Sequence, residues 1–335
     1  MSLFKQLRLC VLLLWPAVLL AQHGTQPKEL SGPEITDAIQ AARVYSKDLF
    51  PEFVIDGVKP FNQRALPVRK LIFKPGGKLL LTSSSGDQND KFIIVDTIIT
   101  SLGGEPPVIT WERDTAFPTS PELGSAPNGY YSGGDGAPGT PGTDGQIGNP
   151  GFPGRNAPSL YIFFNKIEGP GLKIELRGQD GGPGGPGQKG GDGGNGRAGR
   201  PGISSAFDCR SGGQNGGAGG NGGNGGKGGQ GGRGGTGGIV IIGSVSETLH
   251  LFVNTASVEI QGGKGGKGGE EGAYGEGGEG GQGGSGSAFC GGGSPGPHGK
   301  NGNKGDKGDV GQAGVDGTYG TVVLSDEQLI SLGVR

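Results

Sequence analysis

The side chains that most often carry nucleophilic, acid–base or metal chemistry are few: three histidines and three cysteines in 335 residues. His23 precedes all patterned sequence, and His298 sits inside a glycine triplet. His250 lies in LHLFV, where strand alternation turns it away from Leu249 and Leu251 and out to solvent. No base, nucleophile and orienting group come together from these. SSSGDQND (83–90) and GGDG (133–136) offer oxygen ligands for calcium. Neither matches the acidic EF-hand loop or the GGxGxD nonapeptide. Matches to GxGxxG follow from composition alone and say nothing of nucleotides. The expectation is a protein with no catalytic residues, no metal and no cofactor.

The cysteines are more informative. Cys10 lies in an N-terminal stretch where Lys5 and Arg8 precede the apolar run Leu9–Leu20, which ends at Ala21. That order predicts a secretory signal peptide (1–21), cleaved between Ala21 and Gln22. The run is shorter than a membrane span and Pro16 interrupts it, so the mature chain is expected to have no span. Cys209 and Cys290 remain, an even count that suits a disulfide in an exported protein, periplasmic or extracellular. There are 29 basic residues, two of them in the leader, against 31 acidic ones. That balance gives no reason to expect nucleic acid as a partner.

What must position these cysteines is a glycine repeat, in a chain where 81 residues are glycine. Glycine recurs without a break at every third residue in five blocks: 133–154, 178–202, 213–237, 263–284 and 293–320. A polyproline II helix has three residues per turn and no internal hydrogen bonds. Each residue of a triplet then faces one side, and every N–H and C=O needs an outside partner. A face of glycine alone lets a neighbouring helix come close enough to supply it. On this reasoning the third and fourth blocks, mostly GGX, are central, and the first and fifth, mostly GXY, lie at the edges. A collagen triple helix and a flexible linker are the competing readings. The third and fourth blocks contain no proline, which a triple helix needs. A linker has no reason to keep a period of three.

Short β-prone segments separate the blocks: 70–84, 91–113, 160–178, 238–262 and 321–326. The fold class expected is mainly β, a solenoid or sandwich of stacked short strands. Packed polyglycine/polyproline II helices enter as long hairpin insertions, with short capping α-helices at both ends. The chain divides into an N-terminal tail and capping helix (22–69), a β-strand region (70–132), alternating strand pairs and glycine helices (133–324), and a C-terminal capping helix (325–335). Ile35, Ile39, Ala42 and Val44 give the first helix its apolar face, and Ser325 with Gln328 makes a capping-box pattern for the second. Ser-Ala-Phe followed by cysteine recurs at the two block junctions, Ser205–Phe207 and Ser287–Phe289. If each junction is a hairpin tip, Phe207 meets Phe289 in an apolar plug and Cys209 bridges Cys290. The bridge closes a loop of about 80 residues, worth roughly 4 kcal/mol. Lys227, Arg233, Lys264 and Lys267, with Glu270, Glu271, Glu276 and Glu279, read as solvated faces, with pairing between neighbouring helices at small gain each as the alternative.

By its GXY triplets, KGDKGDVGQAG above all, the chain resembles bacterial collagen-like proteins. By its GGX runs it resembles polyglycine II bundle proteins such as snow flea antifreeze proteins and the receptor-binding tips of phage adhesins. The resemblance covers 133–320. It implies a structural or surface-recognition role, with a glycan or a cell-surface or matrix component as partner. A trimeric matrix protein, an ice-binding protein and a carbohydrate-active solenoid enzyme are the alternatives. Charged X positions depart from the small regular residues of an ice-binding face.

Overall fold

The structure, a computed structural model, describes residues 26–30, 33–82, 90–101, 103, 105–113, 120–131 and 133–335. The expected cleavage at Ala21 and Gln22, His23, and most of the 83–90 loop lie outside those residues. The described chain is mainly β, with two parallel sheets and three helices.

Strands alternate between the sheets along the chain. β2 (Phe50–Ile55), β4 (Ala65–Phe73), β6 (Asp90–Thr100), β8 (Ser159–Glu168), β12 (Ile239–Ser244) and β14 (Thr318–Val323) stand side by side in one. The two-residue β1 (Lys28–Glu29) closes its edge on β14. β3 (Val58–Phe61), β5 (Lys78–Leu81), β7 (Val108–Trp111), β9 (Lys173–Glu175) and β13 (Ser257–Glu259) form the other. The framework thus starts at Phe50 rather than at residue 70. The segments on either side of Pro75-Gly76-Gly77 do not pair as a hairpin: β4 and β5 belong to different sheets.

Apolar side chains of the facing sheets fill the space between them. Phe73, Ile93, Val95, Ile162, Phe164, Val240 and Ile242 meet Leu79, Leu81, Ile109, Ile174 and Val258. β6 and β8 read as continuous apolar runs because both their faces are buried. Phe92, Ile94 and Phe163 point outward under α1 (Pro33–Tyr45) and α3 (Asp326–Ser331). Ile35, Ala38, Ile39 and Ala42 recur at helical spacing and make the buried stripe of α1. Val44 is exposed instead, because nine residues after Ile35 is half a turn out of phase. The capping box of α3 forms: Gln328 N–H donates to Ser325 Oγ, and Ser325 N–H donates to Gln328 Oε1 at 2.8 Å. Both helices cover the outer face of the larger sheet. A third helix, α2 (Ser246–Thr255), was not expected from the sequence. It buries Leu249 and Phe252 in the inter-sheet core and leaves His250 exposed on a helix, not a strand.

The five glycine blocks carry neither helix nor strand bonding of the usual kinds. β9 and β13 of the smaller sheet run directly into the second and fourth blocks, and a first outgoing segment, 120–131, bonds to the second block. The first, third and fifth blocks return to β8, β12 and β14. The close approach this requires is visible at Gly223. A Cβ there would lie 2.1 Å from the Thr143 carbonyl oxygen, a backbone atom. At Gly291 a Cβ would meet nothing within 4 Å. Gly223→Ala should therefore lower stability by about 3 kcal/mol through overpacking, whereas Gly291→Ala should be near neutral. Thermal unfolding of the two variants checks the difference.

Candidate functional site at the hairpin tips

The tips are held by the blocks beneath them, and the blocks are held by backbone bonds. In the third block Gly220 N–H donates to Gly194 of the second, and Gly222 N–H donates to Lys300 of the fifth, both at 2.8 Å. The carbonyls of Gly220 and Asn221 accept from Gly278 of the fourth and Gly142 of the first. The same exchange repeats every three residues. The third block thereby bonds to four neighbours. So does the second, which pairs with the first, third and fourth blocks and with Ala126 and Gly129 of the first outgoing segment. Among the described residues the fourth block bonds to the second, third and fifth blocks and to no other block. The central pair is therefore the second and third blocks, not the third and fourth. Counting glycine faces finds where a neighbour can approach, not whether the chain supplies one there.

A second layer of bonding runs through side chains. Asp144 accepts the N–H of Asn224 while Gly145 donates to the Asn224 carbonyl, so one dipeptide holds both polar groups of a single facing residue. The pattern recurs with Asp180-Gly181 on Lys264, Asp192-Gly193 on Glu276 and Asn195-Gly196 on Glu279. It recurs again with Asn215-Gly216 on Ser294, Asn221-Gly222 on Lys300 and Asn224-Gly225 on Asn303. Asn224 is both held and holding, so Asp144, Asn224 and Asn303 form a ladder across three returning blocks. The outermost outgoing block, the fourth, contains no Asn or Asp. In the fifth, Asn301 accepts the N–H of Gly277 in the fourth, and Asp316 that of Gly262 just before it. These residues stop the stack.

Some charged X positions pair between blocks. Lys227 reaches Asp309 at 2.7 Å and Lys307 reaches Glu270 at 2.9 Å. Both are surface pairs of small worth. The Glu276 N–H, then the nearby Lys189, hold the Asp192 carboxyl below its ordinary value.

At the far end, β10 (Ile203–Ser204) and β11 (Cys209–Ser211) form a short antiparallel hairpin between the second and third blocks. The facing tip between the fourth and fifth blocks turns at Ser287–Cys290. A disulfide joins Cys209 to Cys290 across them, with Cα atoms 4.9 Å apart. The expected plug between the phenylalanines is absent. Phe207 is 91 % exposed, Phe289 53 % and Ile203 50 %. The disulfide and the turn bonds, not apolar contact, order the tips. Ser205 N–H donates to the Asp208 carbonyl at 2.8 Å, and Cys209 N–H donates to Asp208 Oδ1 at 2.7 Å.

A cleft of about 670 Å³ lies on the outer face of the smaller sheet where it meets the second block. It is lined by Lys78, Thr110, Trp111, Arg113, Glu175 and Arg177 among others. Glu175 and Glu259 stand opposite each other in register here, a stacked carboxylate pair of the kind hydrolytic chemistry uses. Lys173 lies between them, at 3.9 and 3.0 Å, and Arg113 holds Glu175 at 2.6 Å. Committed to these partners, the pair reads as a salt-bridge ladder along the sheet. Among the described residues no cluster of three or more potential ligands could hold a metal ion.

No protein-family model and no curated protein matches the chain. One solved structure to which it is similar is a nine-helix polyproline type II bundle, a springtail antifreeze protein from Granisotoma rainieri. The identity is 28 %, over 48 % of this chain and 94 % of that one. The TM-score is 0.08, so the likeness carries no argument about fold or activity.

Two outcomes test the side-chain layer. Asn224→Ala removes the acceptor of the Asn303 N–H and should cost about 1 kcal/mol. Gln282→Ala, at an X position outside the pattern, should cost nothing measurable in the same denaturant titration. Asp192 should titrate below the ordinary 3.8 when followed by carboxyl NMR. A depressed carboxyl stabilises the fold above its unfolded pKa, and this contribution is lost as pH falls through the lower folded value. Asp192→Asn keeps an acceptor oxygen for Glu276 N–H, so the acid-induced loss of stability should shrink.

Proposed function

We propose that this chain is an exported structural or surface-recognition protein without catalytic activity. Its scaffold is a β-solenoid whose later turns are drawn out into polyglycine II helices. These pack as a rigid bundle that presents two disulfide-joined tips.

The observation that carries this reading is the period-three hydrogen bonding that links all five glycine blocks within one chain. A triple helix would take those partners from two other chains, and its proline is missing from the two blocks richest in GGX. Export is supported by the Cys209–Cys290 bridge, which suits an oxidising compartment, together with the leader-like N-terminus. No described helix is long and apolar enough to cross a membrane. The exposed X positions of the fourth block, Lys264, Lys267, Glu270, Glu276 and Glu279, work against ice binding. Against hydrolysis stands Lys173, lodged between Glu175 and Glu259. A rigid stalk ending in exposed apolar side chains suits a partner met at the tip, such as a glycan or a cell-surface or matrix component.

Circular dichroism with sedimentation tests the scaffold. The expected result is a polyproline II signature that melts cooperatively, from a protein that needs no trimer to fold. A coil spectrum would sink the bundle, and an obligate trimer would return the chain to the collagen reading. Thermal hysteresis should be absent.

A further inference from the structure

The tips have a chemistry of their own, and its interpretation rests on the bundle reading above. Phe207, Phe289 and Ile203 protrude at the end of the bundle farthest from the sheets. The disulfide ties the two tips together, and Cys290 Sγ lies 3.2 Å from the Ile203 carbonyl oxygen. The rings are therefore carried outward on backbone that is fixed from below. Between Gly199 and Gly213, and between Gly284 and Gly293, the sequence holds two arginines and one aspartate as its only charges. Arg200 and Arg210 are exposed. Asp208 turns a carboxylate oxygen back to the Cys209 N–H. Asp208 is exposed and keeps its charge, so two arginines against one aspartate leave the tips with a small positive excess.

This arrangement decides between kinds of partner. Sites for small molecules are concave, whereas these side chains project. A glycan would need hydrogen-bonding groups fixed beside the rings. The Ser205 hydroxyl is occupied with the N–H and carbonyl of Asp208, and one oxygen of the Asp208 carboxylate accepts the Cys209 N–H. A projecting apolar tip edged by cations matches the interface of a negatively charged bilayer, where rings enter the headgroup–acyl boundary and basic side chains meet phosphates.

We propose that the two tips form an interfacial anchor for an anionic lipid bilayer. Phe207, Phe289 and Ile203 enter the interface, and Arg200 and Arg210 bind lipid phosphates. The stalk then holds the β part of the molecule away from the surface.

The test is co-sedimentation of the purified full chain with vesicles of phosphatidylcholine mixed with phosphatidylglycerol, and of phosphatidylcholine alone. Binding should favour the anionic vesicles and weaken with salt. Phe207→Ser with Phe289→Ser should reduce it about tenfold or more. Arg200→Gln with Arg210→Gln should reduce it about tenfold and flatten the salt dependence. Phe207→Trp should give blue-shifted emission only when anionic vesicles are added. Each variant is first checked for the unchanged protein's cooperative dichroism melt. Absence of binding by the unchanged protein, or equal binding by the phenylalanine variant, overturns the anchor. Binding on a glycan array that the phenylalanine variant loses, with vesicles unbound, overturns the lipid assignment and leaves the recognition tip standing. A coil spectrum from the unchanged protein overturns bundle and anchor together.

Discussion

Everything outside the two sheets depends on one requirement: a backbone with no internal hydrogen bonds must find its partners in other segments. In the glycine blocks that partner is mostly another block, and for the second block also the segment 120–131, at N···O distances near 2.8 Å. The distance leaves no room for a Cβ where blocks face. At Gly217, Gly220, Gly226 and Gly232 the added atom would fall within about 2 Å of a carbonyl oxygen. Glycine is there for steric reasons, and a period of three is what the proposed polyproline II backbone requires. Packing of apolar side chains contributes little to this half of the molecule.

The β half explains why the blocks meet in register. Neighbouring parallel strands stand about 4.8 Å apart, and β9 and β13 pass that spacing straight to the second and fourth blocks that leave them. The returning blocks end on β8, β12 and β14, which are neighbours in the larger sheet. Each turn of the chain is thus anchored twice before its glycine segments need to find one another. Within the rows the Asx–Gly dipeptides preserve the offset: 84 residues between the second and fourth blocks, 79 between the third and fifth. A constant offset is what an in-register stack requires. At the distal end the disulfide fixes the last degree of freedom by tying the outer hairpin to the inner one.

Much of this was legible in the sequence, because it follows from local periodicity. The three-residue glycine period, the hairpin junctions and the pairing of Cys209 with Cys290 all come from repeats that can be read along the chain. Other features needed the third dimension. The centrality of the second block depends on the first outgoing segment, whose glycine content gives no hint that it packs there. The helix at Ser246–Thr255 was hidden because LHLFV fits strand alternation as well as helical spacing, and Val245 offers no side-chain cap. Phe207 and Phe289 looked like a plug because apolar residues are expected to pair. Nothing in the local sequence says that the tips end in open solvent. The Asx–Gly dipeptides were visible, and their constant offset between blocks was the signal that could have revealed their role.

Native-state amide hydrogen exchange, resolved along residues 213–237, tests the lateral bonding most directly. The account predicts slow exchange at both glycines of each GGX triplet in the third block, since one donates to the second block and the other to the fifth. Protection should fall together across all blocks on unfolding, as for a single cooperative unit. Uniformly fast exchange through those glycines, in a protein whose sheets remain protected, would contradict it.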